Sequence, residues 1–81
     1  MVRPEGLIRK TPGVLGGDAC IRGTRIAVWM LVEARRLGFS DEELQNRHVV
    51  PLTQADLDAA WAYYEANHEE IDQAIRQNEE A

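Results

Sequence analysis

Leu57, Trp61, Tyr64, His68, Ile71 and Ile75 recur at alternating intervals of four and three residues, which puts all six on one helical face. No other stretch constrains the fold as strongly: the last third must be helical and must hide one side. Thr53-Gln54-Ala55-Asp56 opens the segment, with a capping hydroxyl and an acid near the positive helix end. Asn67-His68-Glu69-Glu70 offers a second start, so spacing alone leaves open whether 53–77 is one helix or two.

Upstream, the period is different. Leu7-Ile8, Ala19-Cys20-Ile21 and Thr24-Arg25-Ile26-Ala27-Val28 are short β-prone runs separated by Thr11-Pro12-Gly13, Gly16-Gly17-Asp18 and Gly23. They predict a small β-ribbon, which must lie on helices or pair with a second copy, because two isolated strands are barely stable in water. From Val28 the spacing turns helical, with Val28, Leu31, Val32 and Leu37 on one face and Gly38 in the position that ends a helix. Ser40-Asp41-Glu42-Glu43 reads as a capping box opening a short helix to about Arg47, anchored by Leu44, and Pro51-Leu52 then breaks the chain. The expected fold is mainly α: a small N-terminal β-ribbon, a trihelical helix-turn-helix-like bundle over 1–67, and a helical tail over 68–81.

An 81-residue chain is one domain, and it buries only roughly 60–65% of its unfolded surface, so a homodimer or a larger partner is expected. One cysteine, Cys20, excludes an internal disulfide, and no leader-like or membrane-spanning apolar run is read; a cytoplasmic location is expected. The net charge of −5 is unevenly spread: residues 1–47 carry eight basic and six acidic groups, whereas residues 48–81 carry Arg76 against eight acids. The front half suits phosphates, and the acidic tail suits a basic protein surface.

The densest motif is Gly16–Val28, GGDACIRGTRIAV, in which a Gly23-Thr24 turn holds Arg22 and Arg25 near one another. These arginines either stay solvated or pair with Asp18 and Glu33, or they grip a phosphate or carboxylate of a partner, as planar guanidinium forks do. The motif is not a Walker loop. Together with Gly38, Ser40, Glu42-Glu43-Leu44, Pro51-Leu52-Thr53, Asp56, Ala60 and Tyr64, it resembles domain-of-unknown-function family 433 over about residues 6–72. Ala27 stands where that family often has proline, and His48-Val49-Val50 replaces a more aromatic approach to Pro51. The resemblance implies a helix-turn-helix-related fold with a β-ribbon. It also implies, for some members, a VapB-type antitoxin role beside a PIN-like nuclease toxin.

For DNA, the helix from Thr53 would be the reader, with Gln54, Ala55, Asp58, Ala59, Ala62 and Glu65 expected outward. Only Gln54 suits base reading, and Asp56, Asp58 and Glu65 oppose phosphates. If an operator is bound at all, contact is expected instead from Arg3, Arg9, Lys10, Arg22 and Arg25 of a dimeric ribbon. No catalytic group, metal site or cofactor is expected: His48, His68 and Cys20 lack zinc-ligand clustering, and no nucleophile, base and orienting group assemble.

Trp61, Tyr64, His68, Ile71, Ile75 and Arg76 form the expected partner-binding set. Ile71 and Ile75 are read as lying in a partner's groove or in a seam between two copies of the chain. Arg76 is read as either entering the metal-binding carboxylates that a PIN-like toxin, if the resemblance holds, would carry or staying solvated where it stabilises the helix C-terminus. The leading reading is therefore an antitoxin-like binding protein. The alternatives are a stand-alone DNA-binding regulator and a structural adaptor with no toxin.

Overall fold

The computed structural model describes residues 7–13, 15–47 and 51–80, without the side chain of Glu80. Arg3 and His48 lie outside the described residues. Strands β1 (Ile8–Lys10) and β2 (Ala19–Ile21) pair antiparallel, with Ile8 opposite Ile21, Arg9 opposite Cys20 and Lys10 opposite Ala19. A short 3-10 turn at Leu15–Gly17 precedes β2, and Cys20 also bridges Ala27. Strand alternation sends Ala19 and Ile21 into the core, with Ile8 packed against it. The ribbon therefore gains its stability from the helices beneath it.

Helix α1 (Val28–Arg36) buries Val28, Leu31, Val32 and Ala34. It stops in a Schellman motif: the Gly38 amide donates to Arg35 O and the Phe39 amide to Ala34 O, with Gly38 at φ +103°. Helix α2 (Asp41–Asn46) begins at the expected capping box, Ser40 Oγ accepting from the Glu43 amide and Glu43 from the Ser40 amide. Leu44 is its buried anchor. Helix α3 (Gln54–Ala66) carries a second capping box, with Thr53 and Asp56 as partners.

The stripe that opens at Leu57 does not run through one rod. Asn67 leaves the helical region (φ −139°, ψ 46°), and α4 (His68–Glu80) starts anew. The Asn67 side chain donates to Tyr63 O, finishing α3. Helix α4 then folds back over α1.

This corrects the expected role of the tail. Ile71 and Ile75 are only 2% and 4% exposed, sealed in the same core as Leu31, Leu57 and Ala60. Residues 68–80 are therefore part of the packed body, and neither isoleucine is available to a partner. The reason is geometric: the break at Asn67 lets α4 reverse, so its apolar side meets α1. Two ion pairs fasten it, Lys10 Nζ–Glu70 Oε1 at 3.0 Å to β1 and Arg36 Nη2–Asp72 Oδ1 at 2.7 Å to α1. A second correction concerns α3, where Ala59, expected outward, is 2% exposed.

Candidate interaction surface

Arg35 and Arg36 end α1, where a cation also favours the helix dipole. Their guanidinium groups lie over α3. Arg35 Cζ sits 4.6 Å from the centroid of the Trp61 ring, and Arg36 Cζ sits 5.7 Å from that of Tyr64. The Trp61 indole is itself held by a long hydrogen bond from Nε1 to Asp41 Oδ2, 3.4 Å. Arg36 Nη2 donates to Tyr64 Oη at 2.6 Å and to Asp72 Oδ1, while Tyr64 Oη donates to the same carboxylate oxygen at 2.9 Å. The Arg36 and Tyr64 hydrogen bonds hold the Asp72 carboxyl below its ordinary range.

Arg35 differs from its neighbour. Among the described residues it makes no ion pair, so its donors stay free of any carboxylate although its guanidinium carbon sits over the indole. Beside it opens a groove of about 330 Å3 lined by Val32, Arg35, Arg36, Trp61 and Tyr64. His68 continues the aromatic face, its ring centroid 4.5 Å from that of Tyr64. Leu37, 74% exposed, closes the same end of α1.

Of the expected partner-binding set, Trp61 and Tyr64 are half-buried at this surface, and His68 and Arg76 are exposed. Arg35, Arg36 and Asp72 were not singled out in the sequence. Their signal, two arginines in the last turn before Gly38, was present, but their aromatic partners lie on another helix.

The ribbon arginines expected to meet DNA are partly committed. Arg22 follows β2 with φ +46°, and its Nε and Nη2 donate to Asp56 Oδ1 and Oδ2 at 3.0 and 2.8 Å. Its partner is thus Asp56, a pairing outside the alternatives read from the sequence; Asp18 instead accepts from Trp29 Nε1 at 3.1 Å. Burial opposes ionisation of Asp56, but the Arg22 fork and the Thr53 amide outweigh it, and the carboxyl stays below its ordinary range. Lys10 is paired with Glu70, which also accepts from Tyr63 Oη. Arg9 and Arg25 are exposed.

Among the described residues no cluster of His, Cys, Asp and Glu could hold a metal ion, and no helix is long and apolar enough to cross a membrane.

The family model described as "Protein of unknown function (DUF433)" matches residues 8–64. The chain belongs to the DUF433 family. A crystal structure of a DUF433 member protein from Anabaena variabilis ATCC 29413 is 51% identical, with a TM-score of 0.83, and the match covers 89% of this chain and 70% of that one. No curated protein matches the sequence. Within the DUF433 match fall the Arg22–Asp56 lock and the Arg35–Trp61 pair, whereas the whole of α4, Asp72 included, lies beyond it.

Proposed function

We propose that the chain is a protein-binding module of the antitoxin kind, acting by stoichiometric occlusion and without turnover. The observation that carries this reading is the Arg35 guanidinium, seated over Trp61 beside an open groove and making no ion pair among the described residues. Trp, Tyr and Arg are the residues that dominate binding energy at protein interfaces, and an arginine already oriented loses little entropy when a carboxylate arrives. A PIN-like nuclease, the partner that the family resemblance implies, would present metal-binding carboxylates to such an arginine.

The route differs from insertion of the α4 arginine, because Ile71 and Ile75 anchor α4 internally and cannot seat Arg76 in a partner. Trp61, Tyr64 and His68 keep their place in the binding surface, and Arg35 takes the blocking role. A homodimer belongs to the same reading, since so small a core gains from a second copy. Operator binding has weaker support: Lys10 and Arg22 are neutralised by Glu70 and Asp56, and Asp58 and Glu65 stand exposed on α3.

The test is co-purification with the product of the neighbouring gene, followed by a nuclease assay of the complex. Wild type is expected to suppress hydrolysis, with Arg35→Ala and Trp61→Ala each weakening it by about tenfold or more. Full suppression by both variants would remove this face from the mechanism, and absence of any nuclease partner would remove the antitoxin role.

A further inference from the structure

The ribbon has a second face. Ile8, Ala19 and Ile21 point to the core, so alternation sends Arg9 and its cross-strand neighbour Cys20 to the other side. There, a cavity of about 170 Å3 is lined by Arg9, Thr11, Cys20, Arg22, Gly23 and Thr24. We propose that this cavity binds a single phosphate-like oxyanion through Arg9, Arg22 and Thr11.

Three features support the assignment. Arg22 is pre-aimed: Asp56 takes its Nε and Nη2, which fixes the guanidinium plane and leaves the Nη1 hydrogens without a partner among the described residues. Arg22 is already matched by Asp56, whereas Arg9 forms no ion pair among the described residues, so the cavity keeps a net positive charge. The turn that closes it is rigid, because Thr24 Oγ1 donates to Ile21 O at 2.6 Å and accepts from the Ile26 amide at 3.1 Å.

The Cys20 thiol at the floor adds no charge of its own. Burial pushes the Cys20 thiol up, keeping it neutral, and it donates to Asp18 O. Arg9 stands on β1 and Arg22 follows β2, so two guanidinium groups line one cavity and together offer more charged donors than a single planar fork, as the several oxygens of a phosphate-like group require. The space exceeds the roughly 30 Å3 share of one water severalfold. This site lies on the ribbon, away from the groove between α1 and α3, and stands independently of the protein-binding reading.

The full chain, 15N-labelled, is titrated with inorganic phosphate at constant ionic strength. The amides of Arg9, Thr11 and Gly23 are expected to shift saturably, with a half-point at or below about 10 mM. Arg9→Ala is expected to raise that half-point by about tenfold, since it removes a charged hydrogen-bond donor, while Arg47→Ala, at the end of α2 and over Phe39, leaves it unchanged. Arg9 is exposed, so its variant keeps the fold, and its spectrum checks this. A short DNA duplex in the same buffer separates the sources. A duplex that competes with phosphate through Arg9 assigns the oxyanion to a nucleic-acid backbone. No duplex binding assigns it to free phosphate or a monoester. Shifts that never saturate, or an Arg9→Ala half-point equal to wild type, would overturn the site.

Discussion

Arg22 and Asp56 join the ribbon to the start of α3 across 34 positions of sequence, the aspartate receiving both prongs of the guanidinium fork while it also caps its own helix through the Thr53 amide. Asp56, 1% exposed, is the buried charged group among the described residues. Three donors face the carboxylate and offset its burial, and Arg22 reaches it from a left-handed backbone, a conformation that costs a non-glycine residue about 1 kcal/mol.

Removing either partner should therefore be asymmetric. Arg22→Met leaves a buried carboxylate facing no cation, with a loss of about 3 kcal/mol expected, whereas Asp56→Asn keeps a cap and a hydrogen-bond acceptor and is expected to cost about 2 kcal/mol. Urea unfolding of both variants and the double mutant measures the coupling. A double mutant whose cost equals the sum of the singles would show that the pair does not act as a unit.

Local signals in this chain were legible, and long-range ones were not. The Ser40–Glu43 box, the Gly38 stop and the Thr53 start depend on residues within four positions, and all three are found in place. The apolar spacing of Ile71 and Ile75 was equally plain, but spacing shows that a face is hidden and not what hides it. That answer depended on the angle at Asn67, which turns α4 back on α1. The same holds for the site. Arg22 was visible as a notable arginine, but its partner lay beyond any local window. Arg35 became notable only once the packing of α1 on α3 brought Trp61 beneath it.

Because α4 completes the core, its removal should be ruinous. Ile71→Ala and Ile75→Ala are each expected to cost about 2–4 kcal/mol, and deletion of 69–81 is expected to yield an unfolded or molten chain. Circular dichroism and thermal melting check both. A truncated chain that melts cooperatively near the wild-type temperature would show that the first three helices are self-sufficient.

Gly38 offers a cleaner test of local geometry, since its Cβ would meet nothing within 4 Å while its φ of +103° is one that side chains rarely adopt. Gly38→Ala should thus lose about 1 kcal/mol through backbone strain alone. Lys10→Met breaks an ion pair whose members are 53% and 36% exposed, and it should change stability by about 0.5 kcal/mol or less. Denaturant midpoints for the two variants rank them; a larger loss for Lys10→Met would mean that the Lys10–Glu70–Tyr63 contact holds α4 in place.

Stability should fall at both ends of the pH scale, for reasons of opposite sign. Asp56, with opposing burial outweighed by Arg22 and Thr53, titrates below its ordinary value, as does Asp72 beside Arg36 and Tyr64. A depressed carboxylate contributes stability that is fully present above the unfolded value of about 4 and is lost as pH falls through the folded one. Lys10 is raised by its hydrogen bond to Glu70 and by nearby Tyr63, and Tyr63 is raised by burial and by its hydrogen bond to Glu70. Those contributions are whole below the unfolded values, near about 10, and vanish as pH rises through the folded ones. The free energy of unfolding should thus be flat between about pH 6 and 9, with a drop on either side. Asp56→Asn should flatten the acid limb and leave the alkaline limb unchanged. Urea titrations at a series of pH values measure both limbs, and an acid limb of wild-type steepness in the variant would assign that limb to carboxylates other than Asp56.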